Sequence, residues 1–185
     1  MKQHPFERLS PRRFRIVYTA SWVAMLLLEV LLVRLGEGYV HMADAAGKTY
    51  NVFAFELDGS PEGIAHMLET WGQAGRRAAL YQTLWDYLFL VAYSCLIAAC
   101  IVAVMSAGPE GRWMRVGRML AWGQWGAALL DAIENSALVW CLLREPVSPF
   151  PQIAAACAVV KFALVGAGIA YLFAGLPRAF RPAPG

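Results

Sequence analysis

Residues 116–143 read VGRMLAWGQWGAALLDAIENSALVWCLL, an apolar run long enough to cross a membrane as an α-helix. Its central part carries Asp131, Glu134 and Asn135, where a helix that faces lipid would carry apolar side chains. At helical spacing, Glu134 and Asn135 lie on the same face as Asp131, because they follow it by three and four residues. Ionisable groups at membrane depth are costly and usually face the interior of a bundle. The stretch therefore predicts a membrane helix with a polar inward face.

The composition of the whole chain is that of an integral membrane protein. Of its 185 residues, 59% are apolar and 16% are charged, and the mean hydropathy is +0.48. Four segments are long and apolar enough to span, at about residues 16–35, 84–105, 116–143 and 153–176. We therefore predict an all-α fold, a four-transmembrane-helix bundle forming one domain at 16–176. A basic arm at 1–15 and a short tail at 177–185 flank this domain.

The basic residues predict the orientation in the membrane. Positive charge concentrates in three segments: Lys2, Arg8, Arg12, Arg13 and Arg15, then Arg112, Arg115 and Arg118, then Arg178 and Arg181. All three lie on one side if both termini are cytoplasmic, as the positive-inside rule requires. We expect a multi-pass protein of the inner (cytoplasmic) membrane, whose first helix is retained as a span. Its net charge of +3 then needs no nucleic-acid partner.

The outer loop at 36–83 is the only sizeable segment predicted outside the membrane. The sequence TYNVFAFEL at 49–57 is rich in β-branched and aromatic residues, which favours an extended segment. Ser60 and Pro61 have the residue types of a helix N-cap and a first helical position. The helical spacing of Ile64, Met67, Leu68 and Trp71 predicts an amphipathic helix on the outer membrane surface.

Every predicted span carries an ionisable residue, and all of them lie in the outer half of the membrane. Glu29 lies roughly 9 Å from the outer end of its span and Asp131 roughly 18 Å. Carboxyls in a low-dielectric pocket need a cation or a raised pKa, which suits either ligand binding or proton transfer. The candidate catalytic residues are Asp86, Asp131 and Glu134. The candidate ligand-binding residues are Glu29, Gln82, Tyr93, Asn135, Lys161, Trp71 and Arg77.

Structural interpretations of the same residues remain open. Asp131 and Lys161 could form an ion pair, and Asn135 could join two helices by a hydrogen bond. Glu29 and Asp86 could be hydrated or bound by Arg34, Arg76 or Arg77. The three histidines show no paired metal-ligand spacing, so we identify no cofactor and no metal residue, and a divalent cation held by oxygens stays an alternative. Cys141 and Cys157 could pair or serve as small packing residues.

One resemblance supports this assignment of helices. The segments FELDGSPEGIAHMLETWG, LWDYLFLVAYS and LLDAIEN resemble those of a group of small bacterial four-helix membrane proteins that has no assigned activity. The shared pattern consists of Trp71-Gly72 followed by Asp86, Phe89 and Tyr93. The resemblance covers roughly residues 50–140 and implies the four-helix architecture, without a reaction.

Three functions fit these observations. The first is a pocket that binds a lipid-like or cationic amphiphile among membrane lipids, with chemical conversion of this ligand as an extension. The second is a structural or accessory subunit of a homo-oligomer or larger membrane complex, with Gly166 and Gly168 as the natural contact. The third is a proton- or cation-coupled transporter. The few polar residues on the inner side of Asp131 count against this last function, since a pathway needs them.

Overall fold

The computed structural model describes residues 2–179, and side chains from residue 2 to residue 176. It is 81% helical and has no strand in this range, which confirms the predicted all-α four-helix bundle. Four helices are long and apolar enough to cross a membrane, so the chain is a multi-pass membrane protein by length and composition. Most of the predicted tail at 177–185 lies outside the described residues.

The helices extend further than the apolar spans that predicted them. They are α1 (Pro11–Gly36), the short α2 (Val52–Leu57), α3 (Pro61–Ser106), α4 (Arg112–Leu143) and α5 (Phe150–Ala179). A single 3-10 turn at Pro5–Arg8 precedes α1. Because helices do not stop where a membrane stops, α3 contains both the predicted amphipathic helix and the second span.

The predicted extended segment at 49–57 is wrong over most of its length. Residues Val52–Leu57 form α2, and only Thr49 makes a β-bridge, with Ala43. The side chain of Asn51 accepts a hydrogen bond from the Ala54 amide at 2.9 Å and caps this helix. A local cap thus outweighs the preference of the β-branched and aromatic residues for a strand.

The start of α3 agrees with the sequence, and its kink was not foreseen. Ser60 Oγ accepts a hydrogen bond from the Gly63 amide at 3.0 Å, and Pro61 occupies the first helical position, as predicted. At Gly72 the backbone has φ 56° and ψ −168°, which interrupts the helix. The residues before the kink bury Ile64, Met67 and Trp71, the predicted apolar face.

Contacts within the chain define two compact units. The cap unit contains Leu26–Leu90 and Leu129–Val160, and the arm unit contains residues 2–25, 91–128 and 161–179. Each long helix continues from one unit into the other. The core of the cap unit packs residues before and within the first part of α3 against the end of α4 and the start of α5. It includes Tyr39, Phe55, Trp71, Leu138 and Ala154.

In the cap unit, Arg76 fixes the end of α4. Its guanidinium donates to the backbone carbonyls of Leu142, Cys141 and Arg144, the last two at 3.3 and 2.8 Å. These carbonyls lie in the last turn of α4, where the helix offers no amide partners and carries partial negative charge. The hydrogen bonds of Arg76 that the structure shows therefore serve this helix end, and binding of Glu29 or Asp86 by an arginine stays a prediction.

The small residues also have roles inside the fold. Gly168 in the arm unit is buried, and a Cβ built there would lie 2.5 Å from Gln124 Nε2. Gln124 donates to the Leu164 carbonyl at 3.1 Å, so the close approach of α4 and α5 uses Gly168. This glycine is not an outward contact for a second chain, whereas Gly166 is exposed. Cys141 and Cys157 are thiols and are not joined by a disulfide bond.

Substitution of Gly72 by alanine should destabilise the protein although the site is open. No atom lies within 4 Å of a Cβ built there, so the cost comes only from a backbone conformation that essentially only glycine adopts. We expect a loss of about 1–3 kcal/mol in the free energy of unfolding, measured in detergent. Gly126→Ala is the control, because Gly126 is helical and equally open. Equal stability of the two variants would show that the backbone conformation at position 72 costs alanine no free energy.

Substitution of Arg76 by glutamine should destabilise the cap unit. The variant leaves carbonyls at the end of α4 without their charged donor, which costs about 1–3 kcal/mol for a buried group. Arg77→Gln is a matched control, because Arg77 is the neighbouring residue and is exposed. Thermal unfolding should separate the two variants, and a shared small effect would show that the helix end is satisfied otherwise.

Candidate functional site

The polar face of α4 lies in the interior, as the spacing predicted. The exposed fractions of Asp131, Glu134 and Asn135 are 3%, 0% and 3%. They belong to the cap unit and lie on successive turns of α4, a helix long and apolar enough to span a membrane. Burial at this depth removes the carboxyls from water, so their charge depends on the surrounding protein or on a ligand.

Helix α3 contributes the third carboxyl, that of Asp86. Asn135 Nδ2 donates a hydrogen bond of 2.7 Å to Asp86 Oδ2. One residue further along each helix, the hydroxyls of Tyr87 and Ser136 lie 2.8 Å apart. The two polar pairs join α3 to α4 at one level, and they bring Asp86 to the polar face of α4.

Gln82, predicted to bind a ligand, makes hydrogen bonds within the protein. Its amide donates to the Leu32 carbonyl at 2.9 Å, and its oxygen accepts a hydrogen bond from the Tyr39 hydroxyl. Burial, together with the charge of Glu56, raises the pKa of the Tyr39 phenol, so Tyr39 stays protonated and donates. Gln82 thus fastens α1 and the following loop to α3, with both ends of its amide occupied.

The remaining candidates are dispersed. Glu29 is exposed on α1 and Arg77 is exposed on α3. Trp71, 1% exposed, packs between Tyr39 and Phe55, with ring centroids 4.4 and 5.2 Å from its own. It is therefore a core residue of the cap unit, and its predicted contact with a ligand stays a prediction.

Tyr93 and Lys161 belong to the arm unit, where both are buried, Lys161 with 5% of its surface exposed. A buried lysine in a spanning helix fits the predicted use of its charge inside the protein. Its pairing with Asp131 stays a prediction.

The loop between α1 and α3 holds a second polar cluster that the sequence did not reveal. Asp44 accepts hydrogen bonds from the amides of Ala46 and Lys48, both at 2.9 Å, and from the Tyr50 hydroxyl, also at 2.9 Å. His66 Nε2 lies 3.1 Å from the same carboxylate. These bonds hold the pKa of Asp44 far below its usual range, so the carboxylate stays charged and fastens the loop to α3.

In the arm unit, the arm folds back onto α4. His4 has no exposed surface and packs against Phe6, Trp122 and Trp125, with ring centroids 4.7–5.1 Å away. Glu7 accepts two hydrogen bonds from Arg118, at 2.8 and 2.7 Å. The predicted basic arm at 1–15 did not include this contact, because the aromatic residues of α4 that pack against His4 lie more than 110 positions away in the sequence.

The side chains described through residue 176 include no group of three His, Cys, Asp or Glu placed to hold a metal ion. The alternative of a divalent cation on the buried carboxyls is therefore not favoured by the geometry.

Comparisons with protein-family models, with curated proteins and with solved structures find no match to this chain. The resemblance to small bacterial four-helix proteins thus stays an expectation, and function has to be argued from the geometry of the chain itself.

Docking of the arm should weaken as the pH falls below about 6.5, the ordinary pKa of histidine. Burial lowers the pKa of His4 although Glu7 opposes the shift, so the docked state favours the neutral ring. The neutral His4 ring stabilises the docked arm fully when the pH is above the ordinary pKa of histidine. This stabilisation is lost as the pH falls toward the lowered pKa of His4 in the docked arm. Glu7 stays ionised in this range, because Arg118 lowers its pKa.

Tryptophan fluorescence measures this effect, since His4 contacts two indoles. The expected result is a pH-dependent change between pH 7.5 and pH 5.5 that is absent from His4→Phe, which keeps an aromatic ring and cannot be protonated. His41→Phe is the control, because His41 is exposed in the loop after α1. Identical titrations of wild type and His4→Phe would refute the assignment.

Proposed function

We propose that this chain is a multi-pass protein of the inner membrane that binds the cationic group of a lipid-like amphiphile through Asp86, Asp131 and Glu134. The observation that carries the proposal is the burial of Asp131 and Glu134 on α4, with Glu134 fully enclosed and the half-buried Asp86 of α3 joined to the same face by Asn135. Charged side chains at membrane depth are costly, and they usually serve a ligand, an ion or a proton.

The polar neighbours of these carboxyls support a recognition role. The Asn135–Asp86 hydrogen bond fixes the position of one carboxylate oxygen of Asp86. Each of the three carboxyls also interacts with the surrounding protein. A cationic head group would therefore join a polar network that already exists, and its hydrocarbon tail would lie among apolar side chains.

Conversion of the bound amphiphile would add proton transfer by one of these carboxyls. Such a step requires a group that is protonated in the membrane and lies within hydrogen-bond reach of the substrate. Binding of the amphiphile is the proposed function, and acid–base catalysis by a carboxyl would be an extension of it.

The proposed orientation places both termini in the cytoplasm. Within the arm unit, Arg12, Arg13 and Arg15 at the start of α1 are exposed, as are Arg112 and Arg115 at the start of α4. Two helix starts of the same unit thus present positive charge, which the positive-inside rule assigns to the cytoplasmic face.

The hydrogen bond from Asn135 to Asp86 also favours a second function, that of a structural or accessory subunit. Polar pairs between spanning helices can specify packing without any ligand. In that case Asp86 and Asn135 matter for stability, and Glu134 has no separate role in binding.

The test compares a single-chain quaternary ammonium amphiphile with an uncharged amphiphile of equal chain length. We expect Glu134→Gln to weaken binding of the ammonium compound about tenfold or more, because charge-assisted contacts contribute more than neutral ones. Binding of the uncharged compound should change little. Calorimetric titration of the protein in neutral detergent gives both affinities.

Glu69→Gln is the control variant, because Glu69 is exposed on the part of α3 before the kink. Equal affinity of wild type and Glu134→Gln for the ammonium compound would remove the proposal. If Asn135→Leu and Asp86→Leu then destabilise the protein no more together than singly, the structural function takes its place.

A further inference from the structure

The arm unit contains a groove that the proposed function does not use. It lies between the first turns of α1 and the last turns of α3 and α5, and its volume is about 560 Å³. The residues that line it include Phe14 and Tyr18 of α1, Cys100 and Ala103 of α3, and Phe173 of α5. This volume is within the range of about 300–1,000 Å³ that is typical of ligand sites.

The surroundings of the groove restrict what can fill it. The lining side chains are apolar apart from the Tyr18 hydroxyl and the Cys100 thiol. Water gains few hydrogen bonds in such a place, and an empty gap loses the dispersion contacts of its walls. The lining residues belong to helices long enough to span a membrane, where the available apolar solvent is hydrocarbon. An acyl chain is thus the occupant that the groove fits.

Positive charge at the start of α1 favours a lipid with an anionic head group. Arg12, Arg13 and Arg15 lie within one turn of Phe14 and are exposed. Clusters of arginine next to a spanning helix attract anionic lipid head groups. An acyl chain that lies along Phe14 and Tyr18 would place its phosphate beside these side chains.

We propose that this groove is a binding site for one anionic glycerophospholipid, with an acyl chain between α1 and α5 and the phosphate on the arginines of α1. The site differs from the carboxyl site in residues and in charge. It requires neither Glu134 nor a cationic ligand.

Native mass spectrometry of the delipidated full chain, with phosphatidylglycerol or phosphatidylcholine added, tests the proposal. We expect one phosphatidylglycerol per chain to be retained, with a preference of roughly tenfold over phosphatidylcholine, since each nearby arginine contributes to the attraction. Ala103→Phe introduces a large side chain into the lining of the groove and should abolish retention. Ala163→Phe is the matched control, because Ala163 is exposed on α5 and does not line the groove.

A second variant keeps the groove and changes only the charge. The triple variant Arg12→Gln, Arg13→Gln, Arg15→Gln should still retain a lipid, with the preference for phosphatidylglycerol reduced to about twofold or less. The corresponding variant of Arg34, Arg77 and Arg144 removes the same charge from the cap unit and should leave the preference unchanged.

Three results would overturn the proposal. They are retention by Ala103→Phe equal to that of wild type, equal retention of the two lipids by wild type, and a lipid-free dimer that Ala103→Phe dissociates. The last result would mean that a second copy of the chain fills the groove.

Discussion

The burial of ionisable and amide side chains in a membrane-spanning helix is the constraint on which the rest of the cap unit depends. Asp131, Glu134 and Asn135 occupy positions on α4 where apolar side chains would pack at no electrostatic cost. Their partners must come from neighbouring helices, because lipid offers none. The hydrogen bond from Asn135 to Asp86 therefore does more than join two residues, since it requires α3 and α4 to meet at one register. The pair formed by Tyr87 and Ser136 fits the same register.

The backbone carbonyls at the end of a helix also need hydrogen-bond partners. The last carbonyls of α4 need donors, and Arg76 supplies three hydrogen bonds from the helix that follows the kink at Gly72. The conformation of Gly72 allows α3 to change direction, so that Trp71 enters the core of the cap while Arg76 reaches α4. A backbone position that only glycine adopts and a charged side chain four residues later thus belong to one arrangement.

The sequence predicted what depends on local pattern and on length. Apolar runs of spanning length predicted the four long helices, and Ser60-Pro61 predicted the start of α3. The three- and four-residue spacing on α4 predicted which of its side chains are buried together. These features follow from residues close in sequence, for which helical geometry fixes the relative direction of the side chains.

The errors concern directions and partners that other segments decide. Nothing in the sequence of α1 states that Glu29 is exposed, because the choice of its packed face depends on α3 and α5. Gln82 and Trp71 have polar or aromatic side chains typical of a binding site, yet their contacts are with Tyr39 in the loop after α1. His4 is enclosed by tryptophans of a distant helix. The wrong prediction of an extended segment at 49–57 has a local cause, because the Asn51 cap favours a helix over only six residues of high strand propensity.

The two binding proposals have opposite requirements for charge, and this separates them physically. As proposed, the carboxyl site of the cap unit would attract a cation and repel a phosphate. The groove of the arm unit has no carboxylate among its lining residues, and the nearest charges on α1 are arginines. An anionic phospholipid would therefore avoid the first site and a quaternary ammonium amphiphile the second, because unlike head groups gain energy only beside complementary charge. A zwitterionic phospholipid carries both charges, and its ammonium group would weaken its attraction to the arginines. The comparison of wild type with the triple arginine variant consequently isolates the contribution of the arginines, because the carboxyls of the cap unit are the same in both chains.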